Sequence, residues 1–113
     1  MVYDKANELA RELGSCEEYK AYRAAREKAY ASETTKALLK EYAQLRVRAQ
    51  GALVSGQKDE EAMERLQKIG EVLQLNRDAS EYLIAEYRLN TMLGDVYKIL
   101  AQAIDIDLGL EQD

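Results

Sequence analysis

Catalysis in a small protein usually starts from a histidine, a reactive cysteine or a pair of converging carboxylates, and this 113-residue chain supplies these unevenly. It contains no histidine. That closes histidine-based acid–base chemistry and the Ser–His and Cys–His routes to an activated nucleophile. It also closes the usual Glu-x-x-His di-metal centre of helical proteins. Cys16 is the only cysteine, so a zinc site has too few ligands. Its place at the start of a helix favours an anion, but Glu17 and Glu18 beside it oppose a thiolate, and it reads as a small packing residue. The paired carboxylates are Glu17/Glu18, Glu60/Glu61 and Asp105/Asp107. Most fall in first turns of helices, where the macrodipole favours acids without any catalytic role. Gly51, Gly70 and Gly94 stand alone in helical patterns, so no phosphate-binding loop is expected. No catalytic, cofactor-binding or metal-ligating residue is assigned, and the chain is not expected to be an enzyme.

The charges point the same way. Twenty-one acidic residues against 16 basic give a net charge of -5, without the general cation surplus that non-specific phosphate binding draws on. The cations group as Lys20, Arg23, Arg26 and Lys28, then Lys36, Lys40, Arg46 and Arg48, with Glu27, Glu33 and Glu41 interleaved. This is the make-up of solvated helix faces carrying i,i+4 ion pairs. An RNA-binding module on the same basic faces is the alternative reading, although nucleic acid is not the expected partner. A lone cysteine forms no intrachain disulfide and fits a reducing compartment. No apolar run approaches the length of a membrane span, and the opening Met1-Val2-Tyr3-Asp4-Lys5 lacks the layout of a secretion signal. The expected location is cytoplasmic, with no membrane contact.

The elements that carry these residues are helices. Proline, tryptophan and phenylalanine are absent, and all eight aromatics are tyrosine. Ala, Leu, Glu, Lys, Arg and Gln dominate, the residues that lose least on entering a helix. Apolar spacing predicts an all-α fold, a five-helix bundle built on a long antiparallel helical hairpin, with helices over about 2–13, 16–31, 33–54, 59–75 and 79–104. Gly14 is expected to end the first helix in a left-handed conformation and Asn76 to end the fourth likewise. Ser15 with Glu18, and Asp78 with Glu81, read as capping boxes for the second and fifth helices; Ser32 and Asp59 are expected to cap the third and fourth. The stripe Leu38, Tyr42, Leu45, Ala49, Ala52 has coiled-coil spacing, as does Ala62, Leu66, Ile69, Leu73. Folding these stripes together about a turn at Gly56 pairs Ala52 with Ala62 or Met63, Ala49 with Leu66, Leu45 with Ile69, and Tyr42 with Leu73.

The fifth helix has the widest apolar arc, from Tyr82 through Leu89, Leu93, Val96 and Leu100 to Ala103. Leu83, Tyr87 and Tyr97 extend it sideways and are the candidate oligomer or partner contact. Residues 1–113 are read as one helical domain, with 105–113 as a frayed or extended tail.

Several of these positions, taken in order, resemble the YlbF/YmcA family, which includes YheA-like proteins. They are Tyr3, Ala6, Leu9 and Leu13; Ser15-Cys16-Glu17-Glu18-Tyr19 with Tyr22 and Ala25; Leu39-Lys40-Glu41-Tyr42; the Gly56 turn; and Asn76, Tyr82-Leu83-Ile84-Ala85-Glu86, Leu89 and Leu93. The resemblance spans residues 2–104. It implies a helical bundle assembling into homo- or hetero-oligomers, with a homodimer the favoured form here. It implies a non-enzymatic regulatory adaptor in competence, sporulation and biofilm development, acting on RNA processing, with paralogues and ribonuclease Y as partners. Some family complexes carry iron–sulfur clusters on cysteines. One cysteine cannot supply that ligand set, so no cofactor is expected and the cluster-free, YheA-like branch fits at least as well.

Overall fold

A computed structural model describes residues 1–105 of the chain. The described residues form five helices: α1 (Val2–Gly14), α2 (Glu17–Tyr30), α3 (Glu33–Val54), α4 (Glu60–Gln74) and α5 (Arg77–Ala103). The fold is all-α, and each helix begins and ends within two residues of the range its apolar spacing predicts. The tail read as frayed lies, from residue 106 on, outside the described residues. The chain divides into two compact units: residues 1–23 with 84–113, and residues 24–83.

The second unit is organised by the α3–α4 hairpin. Gly56 takes φ +76°, the left-handed conformation that costs a residue with a side chain about 1–2 kcal/mol. The Gln57 N–H then donates to the Ala52 carbonyl at 2.8 Å and the Gly56 N–H to that of Leu53 at 3.0 Å. These two bonds make a Schellman ending, which satisfies carbonyls left over at the end of α3. Asp59 caps α4 by accepting the Ala62 N–H at 3.0 Å. Its carboxylate also takes a forked pair of bonds from Arg48, at 2.6 and 3.2 Å. Arg48 first, and the Ala62 amide next, hold the Asp59 carboxyl below the usual carboxylate range. A second fork, from Arg65 to Glu41 at 3.1 and 3.3 Å, ties the two helices further along. Between them lie Leu39, Leu45, Ala62, Ile69 and Leu73, all buried. The Tyr42 ring settles against Gly70, about 3.6 Å from where a Cβ would stand. That is one turn short of the Leu73 with which the stripes pair it.

Four expectations at the helix ends are corrected. Gly14 is inside α1 and not left-handed; among the described residues Gly56 is the only glycine at positive φ. Ser15 does not cap α2. It closes α1, its hydroxyl donating to the Arg11 and Glu12 carbonyls at 3.2 Å each. The cap of α2 is Cys16, whose carbonyl accepts the Lys20 N–H and whose Sγ accepts the Tyr19 N–H at 3.4 Å. Asn76 does not end α4 in a left-handed turn, because it begins α5. Its Oδ1 accepts the Ala79 N–H at 3.1 Å and its carbonyl the Ser80 N–H at 2.9 Å. Asp78 therefore lies in the first turn of α5 instead of capping it, and Glu81 pairs with Arg77 at 3.1 Å. The expected caps of α3 and α4 hold: Ser32 accepts the Thr35 N–H at 3.2 Å and Asp59 that of Ala62.

The other half of the Asn76 amide donates from Nδ2 to Thr35 Oγ1 at 3.0 Å. Thr35 is the one buried polar side chain among the described residues, at 5% exposure. Asn76 thus starts α5 and satisfies the start of α3 with a single side chain.

Two predictions follow from this geometry. Asn76→Ala should cost about 1–2 kcal/mol through the lost cap and roughly 1 kcal/mol more through the unpartnered Thr35 hydroxyl. Asn76→Asp, which keeps the cap acceptor, should recover most of that loss; urea unfolding followed by circular dichroism measures both. Asp59 titrates lower folded than unfolded, so it adds stability above its unfolded value and loses that contribution as pH falls through the folded one. Melting temperature should therefore fall as pH drops from about 5 toward 2, and Asp59→Asn should flatten that fall.

Candidate interaction surface

The residues with chemical potential are held in structural roles. Cys16 is half-buried at a helix start, and Glu17 and Glu18 fill the first turn of α2 as the macrodipole favours. Glu60 and Glu61 do the same in α4. Among the described residues, no group of three or more Cys, Asp and Glu side chains is placed to hold a metal ion. No described helix is long and apolar enough to cross a membrane.

The basic faces of α2 and α3 are also partly spoken for. Arg26 lies 5.0 Å and Lys36 5.8 Å from the centre of the Tyr30 ring, and Arg46 lies 5.1 Å from that of Tyr42. Arg23 sits over Tyr19 at 5.9 Å. Such contacts contribute about 0.5–1 kcal/mol each at exposed positions, and they turn cations toward tyrosine faces that a stacked base would need. Tyr30 also meets Tyr82 with ring centres 5.8 Å apart, tilted by 49°.

What remains open is apolar. Along α5 one stripe runs Tyr82, Leu89, Leu93, Val96, Leu100 and Ile104, at the spacing of a helix-packing seam. Its first member, Tyr82, is 6% exposed, and Ala79 and Ala85 nearby are likewise buried. Further on the burial fails: Leu93 is 42%, Leu100 56% and Ile104 70% exposed, with Ile99 beside them at 67%. The sequence pattern does not change there, so the helix continues a packing face past the point where the described chain covers it. Helix α1 has the same character. Its stripe Val2, Ala6, Leu9, Leu13 is well formed, yet no residue of α1 is buried.

Of the three candidate contact residues, Tyr87 stands 72% exposed. Tyr97 is half-buried, and its hydroxyl is enclosed without a hydrogen-bond partner. Leu83 is half-buried and belongs to the other unit. The open positions Leu93 and Leu100 read from sequence as ordinary members of the arc. Periodicity identifies a packing face but does not tell whether the chain itself supplies the cover.

The family comparison gives this open helical surface its setting. The model for control of competence regulator ComK, YlbF/YmcA, matches residues 2–105. The chain belongs to the YlbF/YmcA family. Relatives of similar length include a UPF0342 protein of Symbiobacterium thermophilum, 37% identical over 95% of this chain and 96% of its own. A UPF0342 protein of Clostridium tetani is 37% identical over 97% of this chain and 96% of its own. Among solved structures, a DUF964 protein of unknown function from Bacillus stearothermophilus superposes with a TM-score of 0.76 at 16% identity, covering 92% of each chain. Bacillus subtilis RicA, solved in complex with RicF, gives a TM-score of 0.60 at 18% identity over 92% of this chain and 93% of its own. These two share the fold.

The cap geometry at Cys16 generates a prediction of its own. A thiol accepts a hydrogen bond weakly where a hydroxyl accepts well. Cys16→Ser should therefore leave the fold intact and raise stability by about 0.5 kcal/mol, read as a shift in the urea midpoint. A loss above about 1 kcal/mol would mean that thiol packing outweighs the cap.

Proposed function

We propose that this chain is a non-enzymatic regulatory adaptor that works through protein–protein contact, with homo-oligomers, a dimer first among them, as its resting form. The observation that carries the proposal is the uncovered apolar seam of α5 between Leu93 and Ile104, with Tyr87 and Tyr97 on its flank. Monomeric proteins seldom leave such contiguous apolar surface open unless it binds something. The pairing of RicA with RicF suggests that paralogous chains are one class of partner, and family membership suggests RNA processing through ribonuclease Y and developmental regulation as the setting. Leu83 is kept as a candidate contact on the first turns of α5.

The test is capture of purified partners. Immobilised wild-type protein is expected to retain purified family paralogues or ribonuclease Y from the same host, and Leu93→Glu should reduce retention at least tenfold while keeping its helical circular dichroism spectrum. Equal retention by the variant would move the contact away from α5. Failure of the wild type to retain any of these proteins would overturn the adaptor reading.

A further inference from the structure

The backbone turns sharply where the apolar seam of α5 ends. Asp105 takes φ +48°, a left-handed conformation that few residues other than glycine, asparagine and aspartate adopt. Its N–H donates to the Gln102 carbonyl at 3.4 Å. With α5 ending at Ala103, Asp105 stands where Gly56 stands after α3, and its bond matches that of the Gly56 N–H to Leu53. This is one of the two bonds of a Schellman ending, which sends the next residue back against the last full turn of its own helix. The next residue is Ile106. The positions on which such an ending packs it are Ala101, which is buried, and Leu100, which is more than half exposed.

We propose that residues 106–110 are an intrachain strap that folds back along α5, covers the seam from Ile104 to Leu93 and competes there with a protein partner. The proposal rests on the contact surface proposed above and supplies its regulation. Besides the turn at Asp105, the sequence pattern and the lengths name this occupant. Ile106, Leu108 and Leu110 alternate with Asp105, Asp107 and Gly109, so an extended strap has one apolar side and one acidic side. Laid on the seam by its apolar side, it keeps its carboxylates in water and buries no unpaired charge. From Asp105 to Leu110 an extended chain reaches roughly 17 Å at about 3.3 Å per residue. From Ile104 back to Leu93, α5 also covers roughly 17 Å, at about 1.5 Å per residue. The track is the width of one strand. Leu93, Tyr97, Leu100 and Ile104 fall within an arc of about 60° on a helix of about 3.6 residues per turn, and Asp95 and Lys98 lie outside it.

The strap is testable in the full-length Cys16→Ser protein carrying Leu93→Cys and Leu110→Cys. The control carries Asp95→Cys and Leu110→Cys, since Asp95 lies close to the level of Leu93 on the opposite side of α5. Under mild oxidation in dilute solution, the first pair is expected to close an intrachain disulfide at least tenfold faster than the control. Only closure on the seam holds the Cα atoms within the roughly 4.4–6.8 Å that the bond spans. Once closed, the protein should bind the apolar-surface dye ANS at least threefold less than after reduction. Equal closure rates, linkage between two chains in place of one, or undiminished dye binding would each overturn the strap. The closed form should also retain a purified paralogue or ribonuclease Y at least tenfold less than the reduced form. Equal retention by the two forms would overturn the competition and leave the adaptor reading standing. Retention by neither form would remove the adaptor reading and the competition with it, while closure rate and dye binding still decide the strap.

Discussion

The Asn76 carboxamide is the point on which the second unit turns. A helix start leaves amides without partners, and here two helix starts, those of α3 and α5, come together. Asn76 answers both, with Oδ1 on the Ala79 amide and Nδ2 on the Thr35 hydroxyl. Thr35 in turn gives its own amide to Ser32. The carboxamide can do this because it carries an acceptor and a donor on one carbon. Because the network is satisfied, Thr35 can sit buried beside Leu39 and Leu73, and the start of α5 is fixed against the base of the hairpin. At the far end, Arg48 and Asp59 perform the corresponding task near water, where an ion pair adds less.

The helices were legible from sequence because their periodicity is strong and no proline confuses their limits. The hairpin was legible for the same reason, since Gly56 and Asp59 have side-chain types whose preferences are decisive. The junctions were less so. At α1–α2 the capping-box pattern pointed to Ser15, but a serine hydroxyl can equally turn back to the carbonyls of the preceding helix, leaving the cap to Cys16. Propensity gives no signal for a thiol there. At α4–α5 a connection of two residues, Leu75 and Asn76, leaves no room for a separate helix ending, so Asn76 must serve as cap and α5 starts two residues earlier than the Asp78 pattern implies. The burial of Thr35 and Leu39 was hidden too. They lie on the flank of the stripe through Leu38, and they are buried where Leu38 itself is only half-buried.

The surface chemistry follows from the same composition. With tyrosine as the only aromatic, each buried ring face brings a hydroxyl that must reach water or a partner. The chain meets this by leaving most tyrosines half-buried and laying arginine or lysine over their faces at Tyr19, Tyr30 and Tyr42. Cations used in this way cover apolar rings with their stems and keep their charge in water. They make α2 and the first half of α3 surfaces that are finished within the chain.

The end of α5 receives no such treatment, and the contrast carries the functional argument. Leu93, Ile99, Leu100 and Ile104 are aliphatic and stand 42–70% exposed. If a chain needed only solubility, one charged residue at Leu100 would break the patch with little effect on α5 itself, since the position is more than half exposed. Instead the charges of this segment, Arg88, Asp95 and Lys98, are all confined to the other side of the helix. The two sets of faces are built differently: cation–tyrosine contacts cover one, and the other, the surface proposed above for contact, is left bare.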